Sequence, residues 1–204
     1  DKQLGQKRVK YYFDFMFDWN YEKDLFINKS TPHIRGAASA GMVFADALVP
    51  SEINPALLER LIERVVNNRT LKAVTIVDTM SKQVNQAIEE GIESGETISE
   101  MSEKIKDNIK DIYNNAAVRA RVIARTETTA AMNSATHSYY KEAGVTKKQW
   151  LTAGDGAVRD SHSDMNGEIK DIGDQYSNGL DHPGGDGPAE EVINCRCTEI
   201  PVLD

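Results

Sequence analysis

Cysteine is scarce in this chain: 204 residues contain two, Cys195 and Cys197, with only Arg196 between them. Two thiols make no disulfide framework, and a bond between these two would close a very tight ring. The pattern fits a reducing compartment better than a secreted one. Long apolar runs are lacking too, as is a basic start leading to a small-residue cleavage site, so the reading is of a soluble protein without a spanning segment or signal peptide. Basic charge is also short, with 24 Lys and Arg against 32 Asp and Glu and a formal net charge of -8. Such a surface repels polyanions, and a dedicated DNA-binding module would need a local basic patch. The length is enough to bury a real core without staples. The chain starts at Asp1 and not at Met, which leaves open whether it is a processed product or a piece of something longer.

What is present falls into three segments: an aromatic-rich stretch over 1–50, a helical body over 51–144, and a small α+β unit over 145–204 that carries the Cys-x-Cys strand. The fold class expected is therefore α+β, mainly helical first and with few strands after. Residues 1–30 hold eight of the fourteen Phe, Trp and Tyr residues. They read as a helix packed on the body or as a docking segment for another protein. "STPHIRGAASAG" reads as a loop broken by Pro32, Gly36 and Gly41, with His33 solvated. Asn54 and Pro55 cap a helix to about Asn68 whose stripe is Leu57, Leu58, Leu61, Ile62, Val65 and Val66. A second helix buries Val74, Val77, Met80, Val84 and Ile88 up to Gly91, although "VTIV" keeps a strand possible. A third opens on the capping box of Thr97 and Glu100 and buries Met101, Ile105, Ile109 and Ile112.

The fourth helix, about 116–143 with Gly144 as its C-cap, has small and polar residues where the others have an aliphatic stripe. Small side chains let another backbone come close, so this helix is expected to be central and touched on several sides. Arg121 and Arg125 lie one turn apart on it, and Glu127 is placed to pair with a basic partner elsewhere. Beyond Gly144, "VTKKQWLTAG" reads as a strand, "DGAVRDSHSDMNG" as a short helix stopped by Gly167, residues 168–191 as loop, and "CRCTEIPV" as a second strand. From Asp155 to Glu191 ten acidic residues face only Arg159 and Lys170.

On a strand Cys195 and Cys197 would point one way and Arg196 the other. Two thiols on one face are half of a tetrahedral zinc site, whose other ligands must come from elsewhere. His162 is the first candidate, followed by His182, His137, Asp155 and Asp164. The alternative is two buried thiols packed against the helix of His162. A redox pair ranks last, because Cys-x-Cys lacks the helix N-terminus that lowers the thiol pKa in Cys-x-x-Cys proteins.

Four pieces in order, "ARTET" at 124–128, Trp150 in "KKQW", the series Asp155, Arg159, His162 and Gly167, and "NCRC" followed by Pro201, resemble the C-terminal domain of phage Mu protein F-like minor head proteins. That head-morphogenesis family of tailed phages and prophages is matched over roughly residues 90–204. The resemblance implies a non-enzymatic component of the virion or procapsid, made in the host bacterial cytoplasm. Such a component acts at the portal vertex, with portal protein and other head proteins as partners, indirect contact with packaged DNA and no membrane. It also implies that Arg125, Thr126, Glu127, Trp150, Asp155 and Arg159 form a network tying the long helix to the β unit, with His162, Cys195 and Cys197 closing it. One departure is visible: relatives often carry His-Pro directly before the Asn-Cys-Arg-Cys run, where this chain has Val192 and Ile193. His182 with Pro183 substitutes only if the loop folds back.

Two other classes compete. A metal-dependent hydrolase or nuclease would use His162 with nearby carboxylates, although the zinc-deaminase signature is absent. An effector-linked head protein would need a further domain, for which the end at Asp204 leaves no room.

Overall fold

The computed structural model describes residues 18–97, 99–101, 103–104 and 116–203. Most of the aromatic run, Tyr11 to Phe17, and the positions Ile105, Ile109 and Ile112 lie outside these. The described elements are α1 (Trp19–Leu48), α2 (Pro55–Glu93), α3 (Ala116–Glu142), β1 (Lys147–Leu151), α4 (Asp160–Asp164), β2 (Ile169–Asp171), α5 (Ala189–Val192) and β3 (Thr198–Val202). The protein is thus α+β, helical first and then a three-stranded antiparallel sheet in the order β2-β1-β3. No described helix is long and apolar enough to cross a membrane.

Two compact units share these elements. The first comprises the described residues up to Ser30 and those from Leu71 to Arg119. It buries Val77, Val84, Ala87, Ile88 and Met101. The expected capping box forms here, with the Thr97 N–H donating to Glu100 Oε2 at 2.7 Å and the Glu100 N–H returning to Thr97 Oγ1 at 3.3 Å.

The second unit comprises Thr31–Thr70 and the residues from Ala120 onward. Its helical core joins Ile34, Ala38, Met42 and Ala45 of α1, Leu61, Ile62, Val65 and Val66 of α2, and Ala131, Ala135, Tyr139 and Tyr140 of α3. The loop expected at "STPHIRGAASAG" is instead helical, since α1 passes through Pro32 without ending. Gly41 is there for approach and not for a turn: a Cβ on it would stand 2.2 Å from the Met132 carbonyl oxygen of α3. Thr136 also donates to the Gly41 carbonyl at 3.1 Å. Burying a whole face against α3 outweighs the lost hydrogen bond at Pro32 and the roughly 1 kcal/mol that a helical glycine costs. His33 is exposed, as expected.

The break expected near Asn68 is likewise absent, and α2 runs unbroken from Pro55 to Glu93. Neither Gly nor Pro stands between Ala56 and Glu90, and the "VTIV" run is helical. Asn54 caps its start, accepting the Ala56 N–H at 2.8 Å. At the far end of α3, Gly144 takes φ 76° and Val145 N–H donates back to the Tyr140 carbonyl at 3.0 Å, the expected glycine C-cap.

Four readings of the C-terminal half need correction. The strand expected from Cys195 begins only at Thr198, and that expected from Val145 spans Lys147–Leu151. The short helix expected over "DGAVRDSHSDMNG" is confined to Asp160–Asp164. The stretch 168–191 read as loop holds β2 and most of α5, both too short for a periodic signal. Lys148 and Trp150 of β1 face inward, and Trp150 lies opposite the buried Glu199 of β3.

Candidate metal centre

The segment between α5 and β3 turns sharply at Asn194, whose φ of 60° is left-handed. Asparagine tolerates that region better than other residues with a side chain. The turn is held from α3: the Asn194 N–H donates to Thr126 Oγ1 at 2.8 Å, and Arg125 Nη1 donates to Asn194 Oδ1 at 2.9 Å. Cys195 and Cys197 then point inward, each 3% exposed, while Arg196 lies partly exposed. The strand-like alternation therefore holds although the ladder has not yet begun. Asn133 of α3 anchors the end of the turn by donating to the Cys197 carbonyl at 2.9 Å.

His162 approaches from α4. Its Nδ1 lies 3.7 Å from Cys195 Sγ and 3.4 Å from Cys197 Sγ, and the imidazole is 2% exposed. On the opposite side of the ring Nε2 is 2.8 Å from Glu191 Oε2. A carboxylate accepts, so Nε2 carries the hydrogen and Nδ1 presents its lone pair to the two sulfurs. Burial pushes Glu191 up, but hydrogen bonds from Asn178, His162 and Ser161 outweigh it and hold the carboxyl below the usual range. Arg159 fixes α5 against α4 by donating at 2.6 Å to the carbonyls of both Glu191 and Ile193. The ring of His162 meets Trp150 edge to face, with centroids 5.0 Å apart.

Among the described residues His162, Cys195 and Cys197 are the group that could hold a metal ion, their ligand atoms all lying within 4.8 Å of one another. For a tetrahedral ion with metal–sulfur and metal–nitrogen bonds of about 2.3 and 2.05 Å, the nitrogen-to-sulfur edge is about 3.5 Å. The two observed edges bracket that value. The titration of the thiols fits the same reading. A hydrogen bond from Cys197, helped by His162, draws Cys195 down to about 5 against burial. The same bond, burial and the neighbouring charge push Cys197 up. Two adjacent buried thiolates repel each other, and a divalent cation is what lets both ionise. The Cys197 N–H donates to Cys195 Sγ at 3.4 Å, which favours a thiolate there.

The other residues singled out from sequence are placed as follows. Asp155 forms a two-pronged pair with Arg196, at 2.5 and 2.6 Å. Glu127 turns instead toward α2, where Arg69 Nε donates to it at 2.9 Å. Gly167 takes φ 87° at the turn into β2. Asp164 is exposed and outside the donor group. The buried His137 and the half-buried His182 form a separate cluster, rings 5.3 Å apart, with His137 Nδ1 2.8 Å from Glu199 Oε1. Sequence reasoning missed Glu191, Asn194 and Asn133 as positioning groups. Glu191 was legible only as one acid in an acidic stretch, since contact across 29 residues leaves no periodic mark.

A cavity adjoins the donors, lined by His162, Cys195 and Cys197 together with Ala153, Ala157, Val158, Arg159, Asn194 and Arg196. No carboxylate residue is among these.

Comparison with known proteins bears on residues 82–200, which match the sequence profile of a family described as Phage Mu protein F like protein. An uncharacterized protein of Haemophilus influenzae is 36% identical over 86 residues, 42% of this chain and 18% of its own length. The NAD(+)--arginine ADP-ribosyltransferase EFV of Enterococcus faecalis is 35% identical over 89 residues, 40% of this chain and again 18% of its own length. The chain therefore aligns with less than a fifth of either relative. No solved structure matches.

Proposed function

The chain belongs to the family of Phage Mu protein F like proteins, and from that footing we propose that it is a minor head protein acting in head morphogenesis at the portal vertex. In this reading the 145–204 region is a docking scaffold, and zinc on His162, Cys195 and Cys197 locks its turn in place. The soft sulfur and imidazole donor set favours zinc over harder cations. Partners are portal protein and other head proteins, and the location is the virion or procapsid after assembly in the host cytoplasm.

The observation that carries a scaffolding role over catalysis is the occupation of the carboxylates around the donors. Glu191 holds the far nitrogen of His162, Asp155 holds Arg196, and the cavity lining offers no Asp or Glu as a general base. Co-expression with the portal protein of the same phage tests the role. Co-purification and presence in procapsids are expected; failure of both sinks the reading.

A second reading rests on the relative from Enterococcus faecalis, which is named for ADP-ribosyl transfer to arginine. There the shared stretch makes up 18% of a longer protein, and the reading extends the activity in that protein's name to this chain. Incubation with labelled NAD and an arginine acceptor separates the two: transfer by this chain would make it an enzyme in its own right. A metal-dependent hydrolase, the remaining alternative, predicts activity abolished in His162→Ala while the fold persists.

A further inference from the structure

We infer that the metal held by His162, Cys195 and Cys197 keeps one coordination position open toward the adjoining cavity, and that this position takes a small monoanion of carboxylate type. The inference rests on the metal reading above and adds to it a ligand site that is not closed by the chain's own side chains.

The argument begins with the donors. Three side chains supply three ligands, and a tetrahedral ion has a fourth position. The neighbouring side chains that could fill it are engaged or face elsewhere. Glu191 sits on the Nε2 side of the imidazole, and the two ring nitrogens point away from each other, so it cannot also reach an ion on Nδ1. Both oxygens of Asp155 are taken by the Arg196 guanidinium. The Asn194 amide oxygen is taken by Arg125. His182 is turned to Ser134 and the Pro183 carbonyl.

The cavity is walled by all three donor residues, so it lies against the donor triangle and offers space for the remaining position. Its other walls choose the ligand. Ala153, Ala157 and Val158 leave room and offer no competing side-chain donor atoms, while Arg159 and Arg196 bring positive charge. Two thiolates cancel the charge of a divalent ion, Asp155 and Glu191 offset two of the three guanidinium groups of Arg125, Arg159 and Arg196, and one positive charge remains beside the cavity. An anion is favoured over water or a neutral ligand, and the short side chains of Ala153, Ala157 and Val158 in the lining leave room for a small one.

Cobalt(II) loading of the full chain reports the position directly, because thiolate-to-cobalt absorption marks the sulfur ligands and the visible bands mark the coordination sphere. Acetate and azide, titrated into the cobalt form in chloride-free buffer, are expected to shift the visible bands saturably with the thiolate absorption retained. Arg196→Gln is expected to weaken that response about tenfold, and Arg196→Lys to restore most of it. Cobalt binding through the thiolates with bands that no anion moves would overturn the open position and leave the metal site standing. Failure to take up cobalt or zinc at all would remove the metal reading, and this inference with it.

Discussion

Glu191 shows how one side chain decides what another can do. Its hydrogen bond at Nε2 selects the tautomer that turns the Nδ1 lone pair of His162 to the sulfurs. Groups of this kind typically contribute 10–100-fold to metal affinity. Glu191→Ala is therefore expected to weaken zinc binding by about that factor in a chelator competition, with Glu191→Gln intermediate. An unchanged affinity would mean that the ring is oriented by packing on Trp150 alone. Asn194 combines two roles that substitution separates. Asn194→Gly keeps the left-handed turn and loses the Arg125 contact, whereas Asn194→Ala loses the contact and keeps a Cβ at φ 60° without the side-chain amide that lets asparagine tolerate that region. The alanine variant should be the less stable by about 1 kcal/mol in urea titrations, since that conformation costs about 1–2 kcal/mol for ordinary residues.

At the level of elements, α3 positions the site because its side chains are small. Ala130, Ala131 and Ala135 are fully buried, and the backbone at Gly184 comes within contact distance of Ala130, where a Cβ would stand 3.1 Å from its Cα. Gly41 of α1 approaches the same helix from another direction. Gly41→Val would put a side chain into the Met132 carbonyl, and overpacking of this kind costs about 1–3 kcal/mol. A clear drop in melting temperature is the expected outcome. A variant as stable as the parent would show that α1 and α3 are not held at that distance. The centrality of α3 was legible from its composition, because few other roles suit a long stretch of Ala, Thr and Ser in a helix. The helical state of "STPHIRGAASAG" was not, because proline and glycine carry a local signal that only the burial of the opposite face reverses.

For the molecule as a whole, acid is the condition to which the fold should respond most. His137 is held down to about 3 by burial and by Lys148 and Lys141, against Asp181. His182 is held down to about 4 by burial and His137, against Glu199, the Pro183 carbonyl and Asp181. Both fold as neutral rings, and an unfolded imidazole near 6.5 binds its proton more readily. The stability they contribute is present above pH 6.5 and is lost as pH falls toward 4. Glu199, pushed up to about 7 by burial, acts with the opposite sign between 4.5 and 7, because its folded form keeps a proton that the unfolded chain releases. Two histidines against one carboxyl leave a net loss on acidification, and Cys195, whose thiol is drawn down in the fold and binds its proton more readily once unfolded, adds to that loss. Melting curves from pH 7.5 to 5 check this, and a flat profile would contradict the burial of both rings as neutral species.

What the amino-acid order determined by itself was local and compositional. Asn54 with Pro55, the Thr97 and Glu100 box and Gly144 act within one turn of their own backbone, so their signals survive without knowledge of the fold. Two cysteines one residue apart were bound to present both thiols to one side wherever the chain ran extended. Only the tertiary structure decided that α2 continues past Asn68, that Glu127 serves Arg69 and not the sheet, and that Glu191 stands behind His162. Those outcomes depend on which distant surfaces meet, and contacts between residues far apart in the chain follow from burial of whole faces, which no short window of sequence contains.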